Sequence, residues 1–250
     1  MNNANSDENK NKWVWVTGAS RGLGLSIAKK LLDSGFSVLA ASRTSSGALQ
    51  ELISEHSERI VFKPLDLSVL DGIHSWCGSM VKSYGAPYAL VNNAAIAHDG
   101  ILGTMHETQI ASVIQVNITG TIFLTKYVTR AMLRNRSGRV VNISSIIAST
   151  GFNGLSVYAA SKAALNGFTR SLARELGKAG ITVNAVAPGY MKTDMSSSIN
   201  DEQLDQIQRR SALRRLADPS EVASVVEYLL SPAAAAITGT VITVDAGNTA

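Results

Sequence analysis

The sequence predicts an α/β fold, a doubly wound parallel sheet with helices on both faces, and three observations predict it. Short strand-like runs alternate with longer helix-periodic segments along nearly the whole chain. Most of these runs are almost continuously apolar, as strands covered on both faces are. The first of them leads straight into a glycine-rich turn and then a helical run.

In chain order, a polar, Asn-rich leader, Met1 to Lys12, is expected to be mobile. Strands are predicted at Trp13 to Thr17, Ser37 to Ser42, Ile60 to Pro64, Ala89 to Asn92, Arg139 to Ile143, Thr182 to Val186 and Val241 to Val244. Leu25 to Leu32 reads as the helix after the first strand. Val69, Ile73, Trp76, Met80 and Tyr84 recur at three- and four-residue steps, which predicts a helix with one apolar face. Cys77 sits in that stripe and reads as a core thiol, not a nucleophile. A second helix carries Ala160, Ala164, Phe168, Leu172 and Leu176 on one i+4 row. At about 150 residues per domain the chain could hold one large or two small units. No Pro/Gly/Ser-rich linker and no internal repeat divides it, so residues 13–250 are expected to form a single domain.

Composition excludes several function classes. With 45% hydrophobic and 17% charged residues, the chain can bury a sizeable core and is not a disordered tail. There is no run of 18 apolar residues and no apolar stretch in the leader, which points to a soluble, cytoplasmic protein with no membrane partner. One cysteine cannot form an internal disulfide, and without Cys or His at ligand spacing no metal site is expected. Lys and Arg number 23 against 19 Asp and Glu, a net +4. The densest basic group, Arg209, Arg210, Arg214 and Arg215, has no interleaved aromatics, so nucleic acid is not the expected partner and an anionic small molecule is. His56, His74, His98 and His106 are scattered and given no catalytic role; His98, in the loop after Asn93, is read as a surface histidine, with a place lining the site as the alternative.

The glycine-rich turn is Thr17-Gly18-Ala19-Ser20-Arg21-Gly22-Leu23-Gly24. Glycines placed between a strand and a helix let the backbone turn sharply, approach a pyrophosphate and present helix N–H groups to it. That context makes the segment a dinucleotide site, where a glycine run alone would be an ordinary turn. A carboxylate at the end of the second strand would hydrogen-bond the adenosine ribose and repel a 2′-phosphate. Here that strand runs into Ser42-Arg43-Thr44 with no acid. A hydroxyl and a guanidinium suit a phosphate, and Arg21 could reach it from the glycine turn, so NADP is preferred over NAD.

Tyr158 and Lys162 stand four residues apart, on one face of the second helix. A free phenol titrates near pH 10. The nearby ammonium is expected to favour the phenolate and bring Tyr158 into range for exchanging a proton with a carbonyl or alcohol oxygen. Ser145, thirteen residues before Tyr158, follows the fifth strand, where its hydroxyl would open onto the carboxyl edge at which open parallel sheets bind ligands.

With these motifs on the page, the chain resembles the short-chain dehydrogenase/reductase family over nearly everything after the leader. The resemblance rests on the glycine loop Thr17 to Gly24, on Asn92-Asn93-Ala94-Ala95, on Tyr158 and Lys162, and on the Pro188-Gly189 turn. It implies a single-domain Rossmann-type sheet of seven strands in the order 3-2-1-4-5-6-7, commonly assembled as a homotetramer. It also implies a catalytic tetrad of Asn117, Ser145, Tyr158 and Lys162, with Asn117 holding a water that links Lys162 and the cofactor ribose to solvent. The cofactor would be bordered by Gly18, Ser20, Arg21, Gly22, Leu23, Gly24, Ser42, Arg43, Asp66, Leu67, Asn93, Ala94 and Ala95. Tyr158, Lys162, Pro188, Gly189, Met191 and Thr193 would complete that border. A substrate lid is expected at about residues 190–215.

Within the family the chain most resembles 3-oxoacyl-[acyl-carrier-protein] reductases, through Val183 to Gly189, Thr193-Asp194-Met195, Pro219 to Ala223 and Ile237-Thr238-Gly239. The activity implied is NADPH-dependent reduction of a 3-oxoacyl thioester to its 3-hydroxy product. The alternatives are a reductase of another ketone, or a non-catalytic dinucleotide sensor, which would not need Ser145 and Tyr158 together. Three departures stand out. Ala95 replaces the usual glycine, which is tolerable if its φ is negative. Asp245-Ala246-Gly247 replaces Asp-Gly-Gly. Arg136 matches a basic position that docks the acidic carrier protein, but the second such position is Ala179, with Lys178 beside it, which weakens that partner.

Overall fold

A computed structural model describes Asn9 and residues 11–192 and 201–250. Most of the expected leader, and Thr193, Asp194 and Met195, lie outside these residues. Seven strands form one parallel sheet: β1 (Trp13–Thr17), β2 (Ser37–Ser42), β3 (Ile60–Pro64), β4 (Ala89–Asn92), β5 (Gly138–Ile143), β6 (Ile181–Pro188) and β7 (Val241–Val244). Their order is β3-β2-β1-β4-β5-β6-β7, as expected. The register sets Trp13 opposite Ser37, Val14 opposite Ala89, Asn92 opposite Asn142 and Pro188 opposite Val244.

Side-chain alternation divides the core between the two faces. Val14, Val16, Val38, Ala40 and Val91 pack with the helices Gly22–Asp33 and Pro219–Leu230. Trp15, Leu39, Leu90, Val140 and Val183 meet the helices Leu70–Tyr84, Thr121–Asn135 and Ser156–Leu176 on the other side. Both faces being covered explains why β1, β2, β4, β5 and β6 read as nearly continuous apolar runs. Cys77 is a buried core thiol, and burial pushes it up to about 12. Among the described residues no helix is long and apolar enough to cross a membrane.

One periodicity reading shifts. On Ser156–Leu176 the buried positions are Val157, Ser161, Lys162, Leu165, Thr169, Leu172, Ala173 and Leu176, whereas Ala160 and Ala164 are exposed. A strict i+4 row gains about 40° per step on a helix of 3.6 residues per turn, so it starts on solvent and reaches the core only at Leu172 and Leu176. The displaced face is the one that buries Lys162.

Helix boundaries follow local chemistry. Ser46 caps the helix Gly47–Glu55 by accepting from the Leu49 N–H at 3.1 Å. Asp218 caps Pro219–Leu230 at the Ser220 N–H, while Glu221 reaches back to the Asp218 N–H, both at 2.8 Å. Arg215 grips the same Glu221 with two bonds of 2.7 and 2.6 Å.

The C-terminal stretch closes the fold. The Gly189 N–H donates to the Val244 carbonyl at 2.9 Å, and the Ala212 and Leu213 N–H groups donate to Gly247 and Ala246 at 3.2 and 3.0 Å. Ala246 adopts φ 56, left-handed backbone that a Cβ disfavours. The αL penalty of about 1–2 kcal/mol exceeds the extra chain entropy of glycine, about 0.5–1 kcal/mol. Ala246→Gly is therefore expected to stabilise the fold by about 0.5–1 kcal/mol, read as a rise in melting temperature of roughly 1–4 °C. A fall would show that the alanine methyl makes contacts worth more than its backbone strain. Ala95, in contrast, has no positive φ, so its departure from glycine carries no such strain.

Candidate active site

A cavity of about 1170 Å³ opens along the carboxyl edge of the sheet. Every cofactor position predicted above lines it except Thr193, which is outside the described residues. Its size exceeds an ordinary ligand pocket of roughly 300–1,000 Å³, as a dinucleotide together with a substrate requires.

The glycine turn is sewn to the segment after β4. Thr17 Oγ1 accepts from the N–H groups of Asn93 and Ala94, both at 3.0 Å. Asn93 Nδ2 donates to the carbonyls of Thr17 and Gly18 at 2.9 and 3.2 Å. Asn93 thus shapes the turn through its side chain. A Cβ on Gly24 would lie 2.1 Å from the Gly18 carbonyl oxygen, and one on Gly18, which has φ 65, 2.9 Å from Ala94 Cα. The cradle exists only because these positions lack side chains.

At the far end Ser42 and Arg43 follow β2 with no carboxylate among the residues leaving that strand. Ser42 Oγ donates to the Thr44 carbonyl at 2.9 Å. Asp66 accepts from the N–H and hydroxyl of Ser68 at 2.9 and 2.7 Å. The Ser68 hydroxyl chiefly, with its N–H and the charge of Arg43, holds the carboxyl below its usual range against the opposing effect of burial.

The catalytic end gathers Ser145, Tyr158 and Lys162 on one wall. Ser145 follows β5, and its Oγ accepts from the Ile147 N–H at 3.3 Å. Lys162 is buried, and its Nζ donates to the Ile143 carbonyl at 2.8 Å. Burial pulls Lys162 down to about 8. Burial likewise pushes Tyr158 up to about 12, with a hydrogen bond to the Ser145 hydroxyl pulling the other way. Burial thus works against the lowering expected from Lys162. The ammonium gives one of its three N–H groups to Ile143 and lies 5.6 Å from the centre of the Tyr158 ring. Desolvation therefore dominates, and Tyr158 is a protonated donor at neutral pH.

Asn117 lies beneath the cavity, 1% exposed, in a π-helical segment Gln115–Gly120. Its Nδ2 donates to the Ile96 carbonyl at 2.9 Å and to Ser161 Oγ at 3.0 Å, and its Oδ1 accepts from the Ile96 N–H at 2.9 Å. The water-holding role expected of Asn117 cannot fall to its amide donors, which are already committed. Ser161 in turn donates to the Tyr158 carbonyl at 2.7 Å, so the π segment is tied to the catalytic helix. Deeper still, Asn92 donates to Asn142 and Asn142 to Thr169, both at 2.8 Å, which locks β4, β5 and that helix together.

His98, half-buried, lines the cavity and lies 3.3 Å from Ser112 Oγ, which favours the alternative reading over that of a surface histidine. The sequence reading missed other lining residues. Asp99, Phe152, Asn153 and Tyr190 line the same end. An aromatic directly after the Pro188-Gly189 turn was the available signal for Tyr190. Arg136 lies away from the cavity and donates to the Lys178 carbonyl at 2.9 Å, while Ala179 is buried.

Comparison with known proteins agrees with this geometry. Residues 18–249 match a family model described as enoyl-(acyl carrier protein) reductase. The chain is 37% identical to the 3-oxoacyl-[acyl-carrier-protein] reductase of Vibrio cholerae over 94% of its length and 96% of that protein. It is 39% identical to the protein of that name from Escherichia coli over the same shares of both chains. With the Staphylococcus epidermidis protein the identity is 37% over 95% of this chain and 98% of the other. The glycine cradle, the Tyr158 and Lys162 helix and these matches together establish that the chain belongs to the short-chain dehydrogenase/reductase family and is an oxidoreductase.

Proposed function

We propose that this protein is an NADPH-dependent reductase converting a 3-oxoacyl thioester to the 3-hydroxyacyl thioester. The observation that carries the reading is one continuous cavity joining the glycine cradle to Ser145, Tyr158 and Lys162. The residues fit the cofactor, since a Cβ would fill the cradle at Gly24 and no acid follows β2. The N–H groups at the start of Gly22–Asp33 would hold the pyrophosphate, and Arg21, Ser42 and Arg43 the 2′-phosphate. Asp66 and Leu67 would border the adenine, and Pro188, Gly189 and Met191, with Thr193, the nicotinamide.

Bound NADPH would supply the hydride to the carbonyl carbon. Ser145 donates a hydrogen bond to the substrate oxygen and polarises it. Tyr158, held protonated by burial, passes its proton to that oxygen as charge develops there. Lys162 orients the nicotinamide ribose, and Asn117 keeps the loop at Ile96 and the catalytic helix in register. Residues 13–250 would act as one catalytic unit with its lid at about 190–215, working in the cytoplasm as the homotetramer that the family resemblance implies.

The thioester carrier is coenzyme A or an acyl carrier protein. Arg136 is turned onto Lys178 and Ala179 is buried, which favours a carrier-independent thioester or another ketone as the second reading. NADPH oxidation assayed with acetoacetyl-CoA, longer 3-oxoacyl thioesters and simple ketones, with NADH as control, tests both. Turnover of the thioesters with NADPH is expected. Arg43→Ala should lower kcat/KM for NADPH by about 10- to 100-fold and leave that for NADH unchanged, as loss of a charge-assisted phosphate contact requires. Equal losses with both cofactors would refute the 2′-phosphate assignment.

A further inference from the structure

At the catalytic end of the cavity one hydroxyl has no partner. Tyr190 follows the turn after β6, and its phenol oxygen is buried without a hydrogen bond. The backbone delivering it is fixed. Gly189 donates to Val244 at 2.9 Å, and a Cβ there would meet Asp245 Cβ at 2.7 Å. The ring rests on Phe152, with centroids 5.6 Å apart at 59°. Tyr190 lines the same cavity as Tyr158, Asp99 and Asn153.

Buried polar atoms in folded proteins are nearly always paired, and an unpaired one calls for a reason. Phenylalanine would fill the same space with no stranded hydroxyl. Burial pushes the Tyr190 phenol up to about 12, and the charge of Asp99 acts in the same direction. The group therefore keeps its proton and is a hydrogen-bond donor.

We propose that Tyr190 is a specificity-determining residue whose hydroxyl donates to a second oxygen of the substrate, beyond the reacting carbonyl. On the reductase reading above, on which this rests, that oxygen is the thioester carbonyl of the 3-oxoacyl group. Ser145 and Tyr158 serve the reacting oxygen, and Tyr190 offers the other a buried donor with no partner of its own. A simple ketone leaves the phenol stranded, and a site built to hydrogen-bond a substrate oxygen rejects the analogue that lacks it.

The test compares wild type with Tyr190→Phe on acetoacetyl-CoA and on S-(3-oxobutyl)-CoA, the thioether in which a methylene replaces the thioester carbonyl. The variant is expected to lose about 10- to 100-fold in kcat/KM on acetoacetyl-CoA and less than about threefold on the thioether. NADPH affinity, followed by nicotinamide fluorescence, and melting temperature should match wild type. An equal loss on both substrates, or none on either, overturns the assignment. If wild type reduces ketones but not acetoacetyl-CoA, the thioester reading fails. The Tyr190 assignment is then read from ethyl acetoacetate against pentan-2-one by the same criterion. A wild type that reduces neither dicarbonyl better than its monoketone counterpart overturns it as well.

Discussion

Tyr158→Phe is expected to lower kcat for ketone reduction by about 10²- to 10⁴-fold, the range for losing a positioned general acid. The ring remains, so Lys162 keeps its bond to the Ile143 carbonyl and the packing of the catalytic helix is preserved. NADPH affinity should change by no more than about twofold, because cofactor grip resides in the glycine cradle and the Ser42-Arg43 end. The pair of measurements is NADPH oxidation and a fluorescence titration of the cofactor. Activity retained by the phenylalanine variant would remove Tyr158 from the mechanism; among the described residues, the other phenol lining this end of the cavity is that of Tyr190.

Gly24→Ala carries the other large expectation. The new methyl would sit 2.1 Å from the Gly18 carbonyl oxygen and 2.6 Å from Asn93 Nδ2. Neither can yield cheaply, because Gly18 is backbone and Asn93 is already bonded to Thr17 and Gly18. Overpacking of this kind costs about 2–3 kcal/mol, which is a fall in melting temperature of roughly 4–12 °C for a chain of this size. Shifting the Gly18 carbonyl also misaligns the turn that meets the pyrophosphate, so NADPH affinity should fall by at least about tenfold. Gly72→Ala is the control, with nothing within 4 Å of the added methyl. Unchanged stability and unchanged cofactor affinity in Gly24→Ala would contradict the close approach.

Much of this architecture was legible because its causes are local. Continuous apolar runs marked the strands, and glycines between a strand and a helix marked the cofactor end. What the sequence concealed depends on contacts between distant residues. Periodicity placed Lys162 on a helix but could not say that its face is buried, nor that its ammonium would donate to the Ile143 carbonyl. The burial that raises the Tyr158 phenol was hidden for the same reason. Nothing in the neighbours of Asn117 reveals the side-chain bonds to Ile96 and Ser161, 21 and 44 residues away. His98 and Tyr190 carry no motif of their own, and only the convergence of the loops after β4 and β6 puts them at the site.

The seam between the glycine turn and Asn93 also sets an order of assembly. Thr17 and Gly18 are bound by groups 75 to 77 residues further along the chain. As the polypeptide leaves the ribosome, the segment that looks most like a complete nucleotide motif is therefore still unfinished. Its shape is fixed only when β4 has emerged and inserted beside β1. Ser145, Tyr158 and Lys162 come later still, so the nascent chain would gain its cofactor cradle before its proton donor. Contacts of such long range also carry a loop-closure cost that slows folding.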